Sequence, residues 1–152
     1  MENKTPQKRY VSYEELQKKC ILLAEKIEKS WFSSNMIVSV TRWWLLSAYF
    51  LADLLWIKSI ETINIITRDW FESWEVRDAT KIPKDFTDFK ALIVDDLVDS
   101  GKTMKYILNQ YTFNPLETKI ATIFCKEEAS FKPDFFIEEI SSNDWIVFPY
   151  ER

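Results

Sequence analysis

The stretch KALIVDDLVDSGKTMKYI, Lys90 to Ile107, decides the reading of this chain. An apolar run, Ala91 to Val94, has the length and branching of a buried strand, and it stops at two adjacent carboxylates, Asp95 and Asp96. A third, Asp99, opens the loop Asp99-Ser100-Gly101-Lys102-Thr103, which runs into a helical pattern, Thr103 to Tyr111. The backbone N–H groups of such a helix start, with the hydroxyls of Ser100 and Thr103, form an anion nest. Gly101 allows the tight backbone that wraps a phosphate. Carboxylates beside an anion site repel the anion, so they serve another partner: sugar hydroxyls, or a metal ion bridging to phosphate. A Walker A loop would need a glycine five residues before Gly101, where Asp96 stands. A response-regulator acidic pocket would account for Asp95 and Asp96 but not for the loop.

Working outward, Ser12 to Glu15 reads as a capping box opening a helix, with Leu16, Cys20, Leu23 and Ile27 on its apolar stripe. Met36 to Val40 and Thr62 to Thr67 read as buried strands, and Trp44 to Leu55 as a helix apolar on most faces. Ile120 to Phe124 and Phe135 to Ile137 read as further strands, and Arg68 to Asp88 as a long, mobile excursion rich in charge and turn formers. Strands alternating with helices predict an α/β fold with a mainly parallel twisted sheet. The expected organisation is a single domain over residues 1–152.

Composition narrows the chemistry. The chain has no histidine, so serine-type triads and imidazole acid–base chemistry are excluded, and proton transfer falls to carboxylates, lysines or tyrosines. A net charge of −4 with scattered lysines and arginines argues against a nucleic-acid partner. The apolar stretch Trp43 to Ile57 is broken by Asp53 and falls short of the roughly 20 residues that span a bilayer. With a polar N-terminus, this predicts a cytoplasmic protein with no membrane partner. Cys20 and Cys125 are too few and too far apart for a disulfide framework or a zinc site.

ALIVDDLVDSGKTMKYI resembles the phosphoribosyl-pyrophosphate signature of type I phosphoribosyltransferases: apolar strand, two acids, two apolar residues, Asp, Ser/Thr-Gly, then Thr. The similarity extends to the 6-oxopurine branch, above all its xanthine–guanine members. VTRWWLLSAYFLADLL (residues 40–55) is similar to that family's pyrophosphate-loop segment, and ATIFCK, KPDFF and DWIVFPYE to its small C-terminal base-binding hood. The resemblance implies transfer of the phosphoribosyl group to hypoxanthine, guanine or xanthine, with Mg2+ as cofactor, in a homo-oligomer (dimer or tetramer). It implies that Asp95 and Asp96 hold ribose hydroxyls, Asp96 also facing the metal, and that Asp99, Ser100, Gly101, Lys102 and Thr103 wrap the 5′-phosphate. Asp99 would further be the catalytic proton partner at purine N7. Lys126 would donate to O6, Trp145 would stack on the ring, the Ile146 backbone would meet the pyrimidine edge, Glu151 would stand near the metal, and Arg42 would bind pyrophosphate.

The chain departs from that pattern in its glycines. Average usage of about 7% predicts roughly ten in this length, and there is one, against seven tryptophans. Where the family has Arg-Gly-Gly, this chain has Arg42-Trp43-Trp44. Trp56 falls at a helix C-terminus that wants left-handed backbone, and Trp31, Trp70 and Trp74 fall in loop or turn contexts. Tryptophan thus stands where glycine is expected, by design or by divergence. A pyrophosphate loop impaired in this way leaves a second expectation open: a weakly catalytic or non-catalytic binder of phosphoribosyl pyrophosphate or nucleotide.

Overall fold

The computed structural model describes residues 6–41, 44–70 and 73–151, without the side chains of residues 68–70, 73 and 74. Arg42 and Trp43 lie outside the described residues.

Among the described residues three helices and eleven strands follow one another as β1 (Gln7–Tyr10), α1 (Tyr13–Lys29), β2 (Met36–Thr41), α2 (Leu45–Leu54), β3 (Ile60–Trp70), β4 (Ser73–Asp78), β5 (Asp85–Phe86), β6 (Ala91–Val94), β7 (Leu97–Val98), α3 (Lys102–Gln110), β8 (Thr112–Phe113), β9 (Lys119–Lys126), β10 (Phe135–Ile140) and β11 (Asp144–Val147). The main sheet runs β10-β9-β6-β2-β3-β4, with β7 also paired to β9. Every pairing in it is parallel except β3 with β4. This is the expected α/β architecture.

Both faces of the sheet are covered, which is why β6 is buried at every position rather than alternating. Leu92 and Val94 face the layer of α1 and α2, with Leu16, Leu23, Ile27 and Leu51. Ala91 and Ile93 face the layer of α3, with Met104, Ile107 and Tyr111. Cys20 and Cys125 are both buried free thiols. At the start of α1 the Ser12 Oγ accepts the Glu15 N–H at 3.1 Å, satisfying one orphan donor of the first turn. The Glu15 carboxylate itself is engaged by Arg9.

Two sequence expectations need correction. Residues 68–88 are not a mobile excursion throughout: β3 continues to Trp70 and turns back as β4 in an antiparallel hairpin, Ile65 opposite Asp78 and Trp70 opposite Ser73. Trp70 and Trp74 accordingly lie in strands, not turns. The hairpin's far end is fastened where the Asp78 carboxylate accepts from Tyr111 and Lys84, each at 2.8 Å. The polar N-terminal stretch also holds a strand, β1, which pairs in parallel with β11. Its four residues carry no apolar alternation, so only the tertiary partner reveals it.

Order in the sheet reverses at β2, because α2 carries the chain to β3 on one side while β6 lies on the other. The crevice between the carboxyl ends of β2 and β6 is therefore the place where an open α/β sheet binds ligands.

Candidate active site at the carboxyl edge of the sheet

Asp95 and Asp96 do not end their strand; they interrupt it. Val94 pairs with Ala121 and Leu97 with Phe124, both on β9, so pairing resumes in register after the two acids. The Asp96 carbonyl accepts from Ile123 N at 3.0 Å and Phe124 N at 2.8 Å, which pins the interruption. Both carboxylates are buried. Burial pushes the Asp95 carboxyl up to about 6. Burial, and next the neighbouring Asp95, push Asp96 well above the ordinary carboxylate range. The Asp96 N–H donates to Asp95 Oδ1 at 3.0 Å. Two acids so placed favour a cation, or a centre gaining positive charge, since either offsets the cost of ionising them.

They line a cavity of about 800 Å³ with Thr41, Trp44, Asn64, Thr67 and Thr103. Thr41 closes β2 and Asn64 lies opposite it on β3. Sequence reasoning missed Thr41, Asn64 and Thr67: Thr41 ends β2, but Asn64 and Thr67 lie within β3, which runs on to Trp70. Trp44 is half-buried, edge-on to Phe148 with ring centroids 5.2 Å apart and to Tyr150 at 5.6 Å.

The loop after β7 forms a second, smaller pocket of about 70 Å³, lined by Asp99, Ser100, Gly101 and Thr103 among others. Gly101 is the N-cap of α3, with φ 88°. A Cβ there would lie 2.7 Å from Phe131 Cβ and 2.9 Å from Phe131 N. Glycine is thus required twice, by backbone conformation and by the close pass of the Ser130–Phe131 segment. That segment is tied to the loop through Ser130 N and Oγ, which donate to Ser100 O at 3.1 and 2.7 Å. Gly101 has no side chain to cap the helix, and of the first helical N–H groups that of Lys102 donates to Ser100 Oγ at 3.3 Å.

Beyond the loop, Lys126 at the end of β9 makes an ion pair with Asp99, Nζ to Oδ1 2.9 Å, and donates to Ser142 O at 3.3 Å. Trp145 stands on β11 with 58% of its surface exposed, and Ile146 beside it is buried. β11 has β1 on one edge and no strand on the other among the described residues. The Glu151 carboxylate accepts from Phe148 N at 3.2 Å, burial raises its pKa, and its charge is felt at Asp96. The fold therefore gathers Asp95, Asp96, the 99–103 loop and Lys126 at one sheet edge, with Trp145, Ile146 and Glu151 on the adjoining C-terminal segment. Arg42 is outside the described residues.

Among the described residues no group of three or more carboxylates, thiols or imidazoles could cage a metal. Two adjacent hard-oxygen acids still fit magnesium, which is commonly held by one or two carboxylates plus substrate phosphates and water.

Residues 7–152 match the family described as the phosphoribosyl transferase domain. The chain belongs to it. Within this phosphoribosyl transferase family, the chain is 32% identical over 117 residues to a xanthine-guanine phosphoribosyltransferase of Cereibacter sphaeroides, covering 76% of this chain and 68% of that one. It is 30% identical over 142 residues to another of that name from Desulfotalea psychrophila, covering 93% and 84%. Among solved structures, a purine phosphoribosyltransferase from Pyrococcus horikoshii superposes with a TM-score of 0.81 at 27% identity, covering 95% of both chains. The mainly parallel twisted sheet described above is the fold of these relatives.

Proposed function

We propose that this chain transfers the 5-phosphoribosyl group from phosphoribosyl pyrophosphate to a 6-oxopurine, giving a purine nucleoside monophosphate and pyrophosphate. The observation that carries this reading is the Lys126–Asp99 pair beside the phosphate loop. O6 and N7 lie on one edge of a 6-oxopurine; a lysine donor suits O6, and a carboxylate suits a proton at N7. An ammonium has no acceptor for an amino group, so adenine is disfavoured.

The 5′-phosphate sits on the amides of Ser100 to Thr103. The ribose hydroxyls meet Asp95 and Asp96, whose negative charge stabilises the positive charge that develops at the sugar carbon as pyrophosphate leaves. Asp96, with Glu151 nearby, would hold magnesium, which would neutralise leaving-group charge. Asp99 takes up the purine proton at N7. Trp145 stacks on the ring, the Ile146 backbone reads the pyrimidine edge, and Arg42 binds pyrophosphate.

Residues 1–152 act as one unit in the cytoplasm, as a homo-oligomer. Leu45 and Tyr49, exposed one turn apart on the mostly apolar helix α2, support burial against a second copy. No described helix is long and apolar enough to cross a membrane.

One observation favours a slower variant of this function. Trp44 lines the cavity beside Asp95 and Asp96, so its indole occupies space near the leaving group. A binder with weak turnover is the second reading. Nucleotide formation from phosphoribosyl pyrophosphate with guanine, hypoxanthine or xanthine tests the proposal; purine monophosphate binding with no formation under any condition selects the binder.

A further inference from the structure

Strand β11, which carries Trp145, has a single strand partner among the described residues, and a two-stranded ribbon of four residues a side has little stability of its own. Arg9 lies on β1 opposite Ile146. Its guanidinium reaches out of the ribbon and donates to both oxygens of Glu138 on β10, the longer contact being 3.2 Å, and to Glu15 on α1 at 2.9 Å. Lys19 of α1 closes on Glu138 at 2.7 Å. Arg9 and Lys19 both stand over the Phe124 ring, at 5.4 and 5.3 Å. Glu138 pairs with Phe124 in the sheet, and two residues on, Ile140 pairs with Lys126. One planar fork therefore fastens the ribbon to the sheet edge that presents Lys126. A lysine at position 9 would put a single ammonium in place of the planar fork and lose the two-oxygen contact to Glu138.

We propose that Arg9 is a positioning residue that sets β11, and with it Trp145 and the Ile146 backbone, over the base site. This rests on the base-binding reading above. Arg9 touches neither substrate in that reading. The test compares Arg9→Gln and Arg9→Lys with the parent chain in two ways: KM for guanine and for phosphoribosyl pyrophosphate, and amide hydrogen exchange of residues 144–147 without ligand. Arg9→Gln is expected to raise the guanine KM about tenfold, the scale of one lost charged hydrogen bond, and to leave the other KM within about twofold. Arg9→Lys should fall between, and exchange in β1 and β11 should quicken while β6 and β9 stay protected. Equal rises in both KM values, or unchanged exchange, overturn the proposal. If the parent chain forms no nucleotide, the transferase reading has failed and the exchange result alone decides the clamp. Glu15→Gln, which leaves the Glu138 contacts in place, is the milder variant should Arg9→Gln not fold, and is expected to quicken β11 exchange in the same direction.

A separate observation concerns the tryptophans. Among the described residues the two non-glycine positions with positive φ are both tryptophan, Trp31 at 63° and Trp56 at 58°. Each is the first residue past a helix C-cap, Ser30 and Leu55. At the second, Trp56 N bonds Asp53 O at 3.3 Å and Ile57 N bonds Ala52 O at 2.8 Å, the paired bonds of a Schellman end, whose left-handed residue is usually glycine. The indoles are 93% and 89% exposed, so packing does not offset the strain. We propose that positions 31 and 56 are made as glycine in the cells this chain comes from, through a codon that other cells read as tryptophan. UGA is such a codon: it is one base from the glycine codon GGA, and different cells read it as stop, tryptophan or glycine. The same decoding would place glycines at 43 and 44 and account for a single glycine among 152 residues. Masses of the peptides spanning residues 31 and 56, from chain isolated out of its own cells, decide the matter. Glycine at both is expected, and tryptophan at either overturns the proposal.

Discussion

Lys126 Nζ stands 2.9 Å from Asp99 Oδ1, so the cation at the end of β9 and the carboxylate of the loop after β7 meet although their strands contribute them separately. β7 pairs with β9, Leu97 opposite Phe124, which is why the two side chains come into reach. Lys126→Ala is expected to cost about 1.5–3 kcal/mol with 6-oxopurines, the range for a hydrogen bond to a charged group, and to leave phosphoribosyl-pyrophosphate binding nearly unchanged. Asp99→Asn is expected to lower turnover while purine monophosphate still binds. Steady-state kinetics with guanine and equilibrium binding of GMP check both; unaltered guanine kinetics in Lys126→Ala would make Lys126 only a partner for Asp99.

Gly101 has no room for a side chain. With φ at 88° and Phe131 Cβ 2.7 Å from the position of an added Cβ, Gly101→Ala or Gly101→Val must move the 99–103 loop or the 130–131 segment. Nucleotide affinity is expected to fall at least tenfold, about 1.4 kcal/mol, in a protein whose melting confirms it is folded. Calorimetric titration with GMP reads the change, and full affinity in Gly101→Ala would displace the phosphate from this loop.

Trp56→Gly and Trp31→Gly should each stabilise the chain. Left-handed backbone costs an L-residue about 1–2 kcal/mol, and glycine escapes it. Neither exposed indole has packing to lose. The greater freedom of glycine in the unfolded chain subtracts part of the gain, so urea midpoints should rise modestly in each variant and nearly additively in the pair. A fall in both midpoints would show that the strain has been misjudged.

Glu138 gives a pH signature. The Arg9 guanidinium, followed by Lys19, holds its carboxyl down at about 2, against an ordinary 4.5. A depressed folded value means the stabilisation is complete above the unfolded pKa and is lost as pH falls from about 4.5 through about 2. Glu138→Gln should be less stable than the parent chain near pH 7, and the gap should close across that window. The partly exposed pair keeps the gap modest and salt-sensitive. A gap constant with pH would assign the effect to packing.

Much of the fold was legible where local pattern and tertiary demand agree. Ser12 before an apolar stripe, four buried aliphatics ahead of Asp95, and a glycine ahead of Lys102 each announce their role locally. The proximity of the two acids and the 99–103 loop was legible for the same reason, since they are contiguous in sequence. Hidden features depend on partners distant in sequence. β1 is polar and exists through β11; β4 exists through β3; the meeting of Asp99 and Lys126 depends on the pairing of β7 with β9. Charge and turn formers between 68 and 88 suggested a mobile segment, because hairpin pairing of solvated strands leaves little apolar trace. Trp56 was legible from the helix end alone, and its φ of 58° agrees.

The most direct test of the central claim is the rate of pyrophosphate release with phosphoribosyl pyrophosphate, magnesium and one base at a time, for this chain and for its Trp43→Gly, Trp44→Gly variant. Release is expected to depend on guanine, xanthine or hypoxanthine, to be slow in the chain as it stands, and to rise at least tenfold in the variant, about 1.4 kcal/mol of barrier, with adenine inert in both. Equal, brisk rates in both proteins would contradict the role given to this loop. No base-dependent release in either, or release with adenine as fast as with guanine, would contradict the function itself.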